Sequence, residues 1–274
     1  MSKKKDVLQD SKCLVTGYKG FIGSHLFAAL RDKNAIVIGM DKEQGGVINK
    51  ELLESTFKDI DYVFHLGAVA NVPACEQDTK LAIETNTIGT FNILHLAALH
   101  NIKRVVFASS CVVYEPTSTM YAMTKAIGEM YCEFFQDRYN LPVTMLRFYN
   151  VYGIGQKTNI AVVPSFINKL KEDKPIVIEG TGNQIRDFIY VEDVVSAMIK
   201  VVEKNINGWA DIGTGCGTSI SDLAFIIASI MNKVVSIELV PGRLGDIEGA
   251  IATKPLWFNP KYTLEQGLAE IINS

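Results

Sequence analysis

The stretch CLVTGYKGFIGSHL, residues 13–26, constrains the fold more than any other part of this chain. Its apolar start reads as a β-strand over Lys12–Thr16, and its end as a helix over Ile22–Arg31. Gly17, Gly20 and Gly23 stand between and into the two. A strand that turns into a helix within a few residues needs backbone freedom, which glycine supplies. The helix then offers its first free N–H groups and positive dipole end to the turn, a ready site for a phosphate. The rhythm continues along the first half of the chain. Ala35–Met40, Tyr62–Leu66, Arg104–Ala108 and Val143–Arg147 are short apolar runs, with helical stretches over Thr85–Leu99 and Thr119–Tyr139. Strands apolar on both faces and separated by helices imply a doubly wound parallel α/β sheet. The short span from Asp41 to Tyr62 is expected to hold a third strand, Gly46–Asn49, and a helix, Lys50–Phe57.

After about Asn150 glycines and prolines become denser, with helices expected near Val163–Lys171, Val191–Glu203 and Ser221–Met231. This pattern predicts a sheet domain over 1–150 and a smaller α/β lobe over 151–274, with segments returning to the first domain. Composition then excludes some roles. The net charge of -3 gives no electrostatic case for nucleic acid. No apolar run is long enough to span a membrane, and the start of the sequence lacks the apolar segment of a signal peptide. A cytoplasmic protein is expected. The five cysteines lack metal-ligand spacing and read as reduced thiols, so no metal site is expected.

The second strand ends in Met40-Asp41, about 20 residues beyond the glycine turn. A carboxylate there can accept hydrogen bonds from ribose hydroxyls and would repel a 2′-phosphate, which favours NAD over NADP as cofactor. Tyr121 and Lys125 are spaced i, i+4 and share one helix face. A cation beside a phenol favours the phenolate and so suits the phenol to act as a base.

Gly17-x-x-Gly20-x-x-Gly23, Ser110 and Tyr121-x-x-x-Lys125 resemble the extended short-chain dehydrogenase/reductase family. DYVFHLGAVA (61–70), NTIGTFNILHLAA (86–98), VVFASSCVVYE (105–115), MLRFYNVYG (145–153), GTGNQIRDFIYVEDV (180–194), DIGTGCGTSISDLA and GRLGDI follow the order of its nucleotide-sugar epimerase/dehydratase branch. The resemblance covers nearly the whole chain and implies a Rossmann fold. It implies NAD contacts from Gly17, Gly20, Phe21, Ile22, Gly23, Asp41, Leu66, Gly67, Ala68 and Asn86, joined by Tyr121 and Lys125. It makes Tyr121 the general base, Ser110 the hydroxyl that bonds the reacting sugar oxygen, and Lys125 the ligand of the nicotinamide ribose that lowers the tyrosine pKa. Asn150, Arg186 and Arg243 fall at the substrate, where planar guanidinium groups match a diphosphate. It also implies a homodimer through the helices over 85–99 and 119–139, with Leu94, Leu96, Tyr131, Phe134 and Phe135 available to the partner.

Departures from the pattern narrow the reaction. The dehydratases of this branch carry Asp-Glu after the hydroxyl residue, where this chain has Cys111-Val112. Cys111 is thereby expected near the site. No acidic partner for decarboxylation is recognisable. The expected activity is 4-epimerisation of a nucleotide sugar, a UDP-hexose in particular; a 4-ketoreductase, a dehydrogenase and a non-catalytic NAD-sensing protein are the alternatives. The asparagine of the N-i-G-t-G motif is replaced by Asp211, and the adenine-contacting Asp-Ile pair has Gly46-Val47 as its nearest counterpart.

Overall fold

A computed structural model describes residues 6–157, 161–242 and 249–274. The chain divides into two compact units, one of Met1–Arg147 with Val195–Ala210, the other of Phe148–Val194 with Asp211–Ser274. The expected boundary near 150 lies close to the first crossing, and the chain re-enters the first unit inside the helix over Val191–Glu203.

In chain order the elements are β1 (Lys12–Thr16), α1 (Phe21–Asp32), β2 (Ile36–Met40), α2 (Lys50–Thr56), β3 (Tyr62–His65), α3 (Val72–Gln77), α4 (Thr79–Ala82) and α5 (Gly89–Leu99). Then follow β4 (Arg104–Ser110), α6 (Met120–Tyr139), β5 (Val143–Phe148), β6 (Asn150–Tyr152), α7 (Val162–Lys171), β7 (Ile176–Glu179), β8 (Ile185–Tyr190) and α8 (Val191–Glu203). The last are β9 (Gly208–Ile212), β10 (Gly217–Ser219), α9 (Ile220–Ile230), β11 (Ile237–Val240), β12 (Gly249–Ala250) and α10 (Leu264–Ile272).

The first unit is built on a parallel sheet in the order β2-β1-β3-β4-β5-β9. β1 pairs with both β2 and β3, with Thr16 opposite Met40 on one side and His65 on the other. The C-terminal ends of these strands therefore lie side by side. Leu14, Val63, Ile93, Phe107, Phe135 and Met145 fill the core beneath. Burying side chains of this size stabilises by roughly 1.5–3 kcal/mol each.

The expected third strand is absent. Gly46–Ile48 is a single 3-10 turn, and β3 follows α2 directly. Gly45 and Gly46 have φ of 87° and 57°, a left-handed conformation that leads the chain away from an extended path. Val47 drops into the core at 4% exposure. β2 thus remains the edge of the sheet, with Ile36 exposed. The helix expected from Thr85 begins with a π-helical segment, Ile83–Ile88, before α5.

The outer face of α5 and α6 differs from the expectation. Leu94, Leu96 and Phe135 are buried in the core of their own unit, and Tyr131 packs partly against it. Phe134 is exposed, as expected, and so are Phe91, Leu99, Met123, Met130 and Tyr139. Both helices cover the sheet, so their most regularly apolar positions turn inward.

In the second unit, β8 is the centre of a four-stranded sheet with β6, β10 and β12, and β7 pairs with β11. No helix among the described residues is long and apolar enough to cross a membrane.

Candidate active site

β1 ends at Thr16, and Gly17 takes φ 71° to begin the turn. A Cβ on Gly17 would stand 2.9 Å from the Gly67 nitrogen, and one on Gly23 would stand 2.1 Å from the Gly17 carbonyl oxygen. No other residue fits this close approach of β1, α1 and the end of β3. Gly20 caps α1 without a side-chain hydrogen bond, and Phe21, Ile22 and Gly23 form the first turn. The helix start thus offers backbone N–H groups to an anion.

Asp41 follows β2 directly. Its carboxylate accepts the Lys19 N–H at 3.0 Å and the Lys42 N–H at 2.8 Å, tying the glycine turn to the neighbouring strand. Leu66, Gly67 and Ala68 follow β3 and are half-buried. The glycine turn, the uncapped helix and Asp41 together fit a dinucleotide: the turn supplies space, the helix faces the phosphates, and the carboxylate has lone pairs for ribose hydroxyls. Asn86 is held by the loop after β3 and by α6. Its Oδ1 accepts the Val69 N–H at 2.7 Å, and its Nδ2 donates to the Val69 carbonyl at 3.0 Å and to Thr124 Oγ1 at 3.1 Å. Only 3% exposed, it braces the loop after β3 against α6.

Ser110, Tyr121 and Lys125 come together at the end of β4 and the start of α6. Thr119 caps α6, its Oγ1 accepting the Ala122 N–H at 3.1 Å, so Tyr121 stands in the first turn. The Ser110 hydroxyl acts on the Tyr121 phenol, favouring its ionised form. Lys125 Nζ lies 5.9 Å from the Tyr121 ring centroid and donates to the Ala108 carbonyl at 2.7 Å. Burial pushes the Lys125 ammonium down to about 8, which leaves it mostly charged at pH 7.

The Tyr121 phenol is pushed up, chiefly by burial and then by the Cys111 and Cys75 thiols, against the lowering effect of the Ser110 hydrogen bond. The expectation pairs Lys125 with the oxidised nicotinamide in favouring the phenolate; in the protein alone, desolvation sets the direction of the shift. Cys111 is half-buried, acts on Tyr121 and so lies near the site as expected.

Two arrangements around this site were missed. Glu129, one turn beyond Lys125, accepts the Ser109 hydroxyl at 2.5 Å and the Arg147 guanidinium at 2.7 and 3.0 Å. Arg147 stacks on Trp209 at 3.9 Å and on Tyr114 at 4.9 Å. The other is a buried chain through Thr16, His65 and Thr90. A polar residue at the end of the otherwise apolar run Tyr62–His65 was the available signal.

In the second unit, Asn150 pairs with Phe188 on β8, two residues from Arg186. Paired and i, i+2 positions share a sheet face, so Asn150 and Arg186 project to the same side. Arg186 is 9% exposed, and its Nη1 donates to the Ile185 carbonyl at 2.8 Å. The fully buried Asp187 accepts from Thr214 N and Oγ1, Gly215 N and Ala252 N, at 2.6 to 3.1 Å, and so anchors the loops beside Arg186. Asp211 is buried and accepts from Tyr149 Oη and Thr253 N, both at 3.4 Å. Arg243 lies outside the described residues.

A parallel sheet with a glycine turn at one strand end, an acidic residue at the next, and a Ser–Tyr–Lys cluster at a third defines a dinucleotide-dependent α/β enzyme. The chain belongs to the NAD dependent epimerase/dehydratase family, whose model matches residues 13–212. Its cofactor is NAD. A putative UDP-glucose 4-epimerase of Methanocaldococcus jannaschii is 32% identical over 95% of this chain and 97% of its own. A UDP-glucose 4-epimerase of Thermotoga maritima, solved with UDP-glucose, is 30% identical with a TM-score of 0.91, covering 96% of this chain and 97% of its own. A UDP-N-acetyl-alpha-D-glucosaminuronate decarboxylase of Bacillus cytotoxicus is 30% identical over 95% of this chain and 96% of its own.

Proposed function

We propose that this protein catalyses the 4-epimerisation of a nucleotide sugar, a UDP-hexose in particular. The observation that carries the reading is the grouping of the Ser110 hydroxyl, which acts on the Tyr121 phenol, with the Lys125 ammonium 5.9 Å from the phenol ring, followed at 111 and 112 by a thiol and an isopropyl group. The first set can move a proton at a sugar hydroxyl. The second offers no carboxyl pair to eliminate water.

NAD held at the glycine turn would supply a reversible hydride acceptor for the sugar C4. Tyr121 accepts the C4 hydroxyl proton and later gives it back. Ser110 holds the C4 oxygen beside the phenol. Lys125, charged at neutral pH, favours the phenolate that burial opposes. Return of hydride to the opposite face of the 4-keto sugar inverts C4 without net oxidation. Asn150, Arg186 and Arg243 are assigned to the substrate, the arginines to its diphosphate. The exposed apolar face of α5 and α6 is assigned to a second copy, as a homodimer.

The test is turnover of UDP-glucose, UDP-N-acetylglucosamine and UDP-glucuronate without added reductant, with products resolved by NMR. A 4-epimer with no net NADH change is expected, and Tyr121→Phe lowers turnover by roughly 10²–10⁴-fold while sparing NAD binding. Stoichiometric NADH change, or a pentose product, would replace epimerisation by reduction, dehydrogenation or decarboxylation.

A further inference from the structure

Thr16, His65 and Thr90 are 0%, 2% and 1% exposed. The Gly67 N–H donates to Thr16 Oγ1 at 2.9 Å, and Thr16 Oγ1 lies 2.8 Å from His65 Nδ1. On the other side of the ring, His65 Nε2 lies 2.9 Å from Thr90 Oγ1, which donates to the Asn86 carbonyl at 2.6 Å.

Counting hydrogens fixes the direction of this chain. A carbonyl only accepts, so the single Thr90 hydroxyl hydrogen goes to Asn86. Thr90 can then only accept from the ring, and the proton sits on Nε2. Nδ1 becomes an acceptor, and the Thr16 hydroxyl is its donor. Burial, with the Lys125 charge adding to it, lowers the His65 pKa to about 3, so the ring is neutral.

The ends of the chain give it meaning. Thr16 precedes the left-handed Gly17, where an added Cβ would stand 2.9 Å from the Gly67 nitrogen. Asn86 clamps Val69 and reaches Thr124, the neighbour of Lys125. One ring thus links the glycine turn, the end of β3 and the acid–base helix.

We propose that His65, locked as its Nε2–H tautomer, is a positioning residue of the NAD site, setting the separation of the glycine turn from the backbone at Gly67. The proposal rests on the assignment of that turn to NAD. The experiment uses the full chain with ¹⁵N-labelled histidine. His65, identified among the four histidines by its loss in His65→Phe, shows a protonated Nε2, a bare Nδ1 and no titration between pH 5 and 8. Thr90→Val, which keeps the shape but loses the acceptor, mixes the tautomers; Thr90→Ser preserves the single one. Calorimetry then shows NAD affinity reduced roughly ten-fold in Thr90→Val and His65→Phe and retained in Thr90→Ser, with UDP affinity unchanged in all three. An Nδ1–H or titrating His65 in the parent protein overturns the proposal, as does unaltered NAD affinity once the tautomer is mixed. A parent protein that binds UDP and not NAD overturns the cofactor assignment, and the proposal with it.

Discussion

Arg147→Leu tests how the acid–base helix is held. Glu129 and Arg147 are 9% and 12% exposed, and their carboxylate–guanidinium contact closes at 2.7 Å. Removing the arginine leaves a carboxylate in the interior with the Ser109 hydroxyl still donating to it. It also removes the guanidinium between the Trp209 and Tyr114 rings. Breaking a buried pair from one side costs about 3–5 kcal/mol, more than the pair is worth against an apolar replacement, because the stranded charge stays desolvated. At roughly 2–4 °C per kcal/mol for a chain somewhat smaller than this one, the melting temperature should fall by about 10 °C. Adding Glu129→Leu should recover most of that loss. Urea unfolding of the parent, both single variants and the double variant gives the coupling energy. A single Arg147→Leu variant within about 1 kcal/mol of the parent would refute the reasoning, since it would mean water reaches Glu129. Ser109 sits beside Ser110, and Glu129 one turn from Lys125, so turnover should fall in Arg147→Leu even below its melting temperature.

Gly23→Ala places a methyl 2.1 Å from the Gly17 oxygen; NAD affinity should fall roughly 10–100-fold by calorimetry. The depressed His65 pKa makes stability acid-sensitive. The unfolded chain takes up a proton below about pH 6.5 and the folded one only near about 3, so stability is full above the first value and is lost as pH falls between them. Chemical unfolding should show a loss of about 2 kcal/mol at pH 5 that His65→Phe lacks. Sedimentation should give a dimer, and Met130→Asp with Phe134→Asp a monomer with its far-UV spectrum intact.

The parallel sheet, the glycine turn and the shared helix face of Tyr121 and Lys125 were legible in the sequence because each depends on local rules, whereas Ser110 was named by the family resemblance alone. Glycine spacing, apolar runs and the i, i+4 step of a helix are properties of a few consecutive residues. Three things needed the tertiary structure. Whether Gly46–Asn49 joined the sheet turned on the left-handed glycines and on Val47 finding room in the core. The sign of the Tyr121 shift turned on burial, its largest cause. The partners of His65, Glu129 and Asn86 lie from 17 to 49 residues away along the chain. The sequence by itself determined which chemical groups the site would contain. Packing decided their charge states and what holds them in place, because desolvation and long-range hydrogen bonds exist only once distant segments meet.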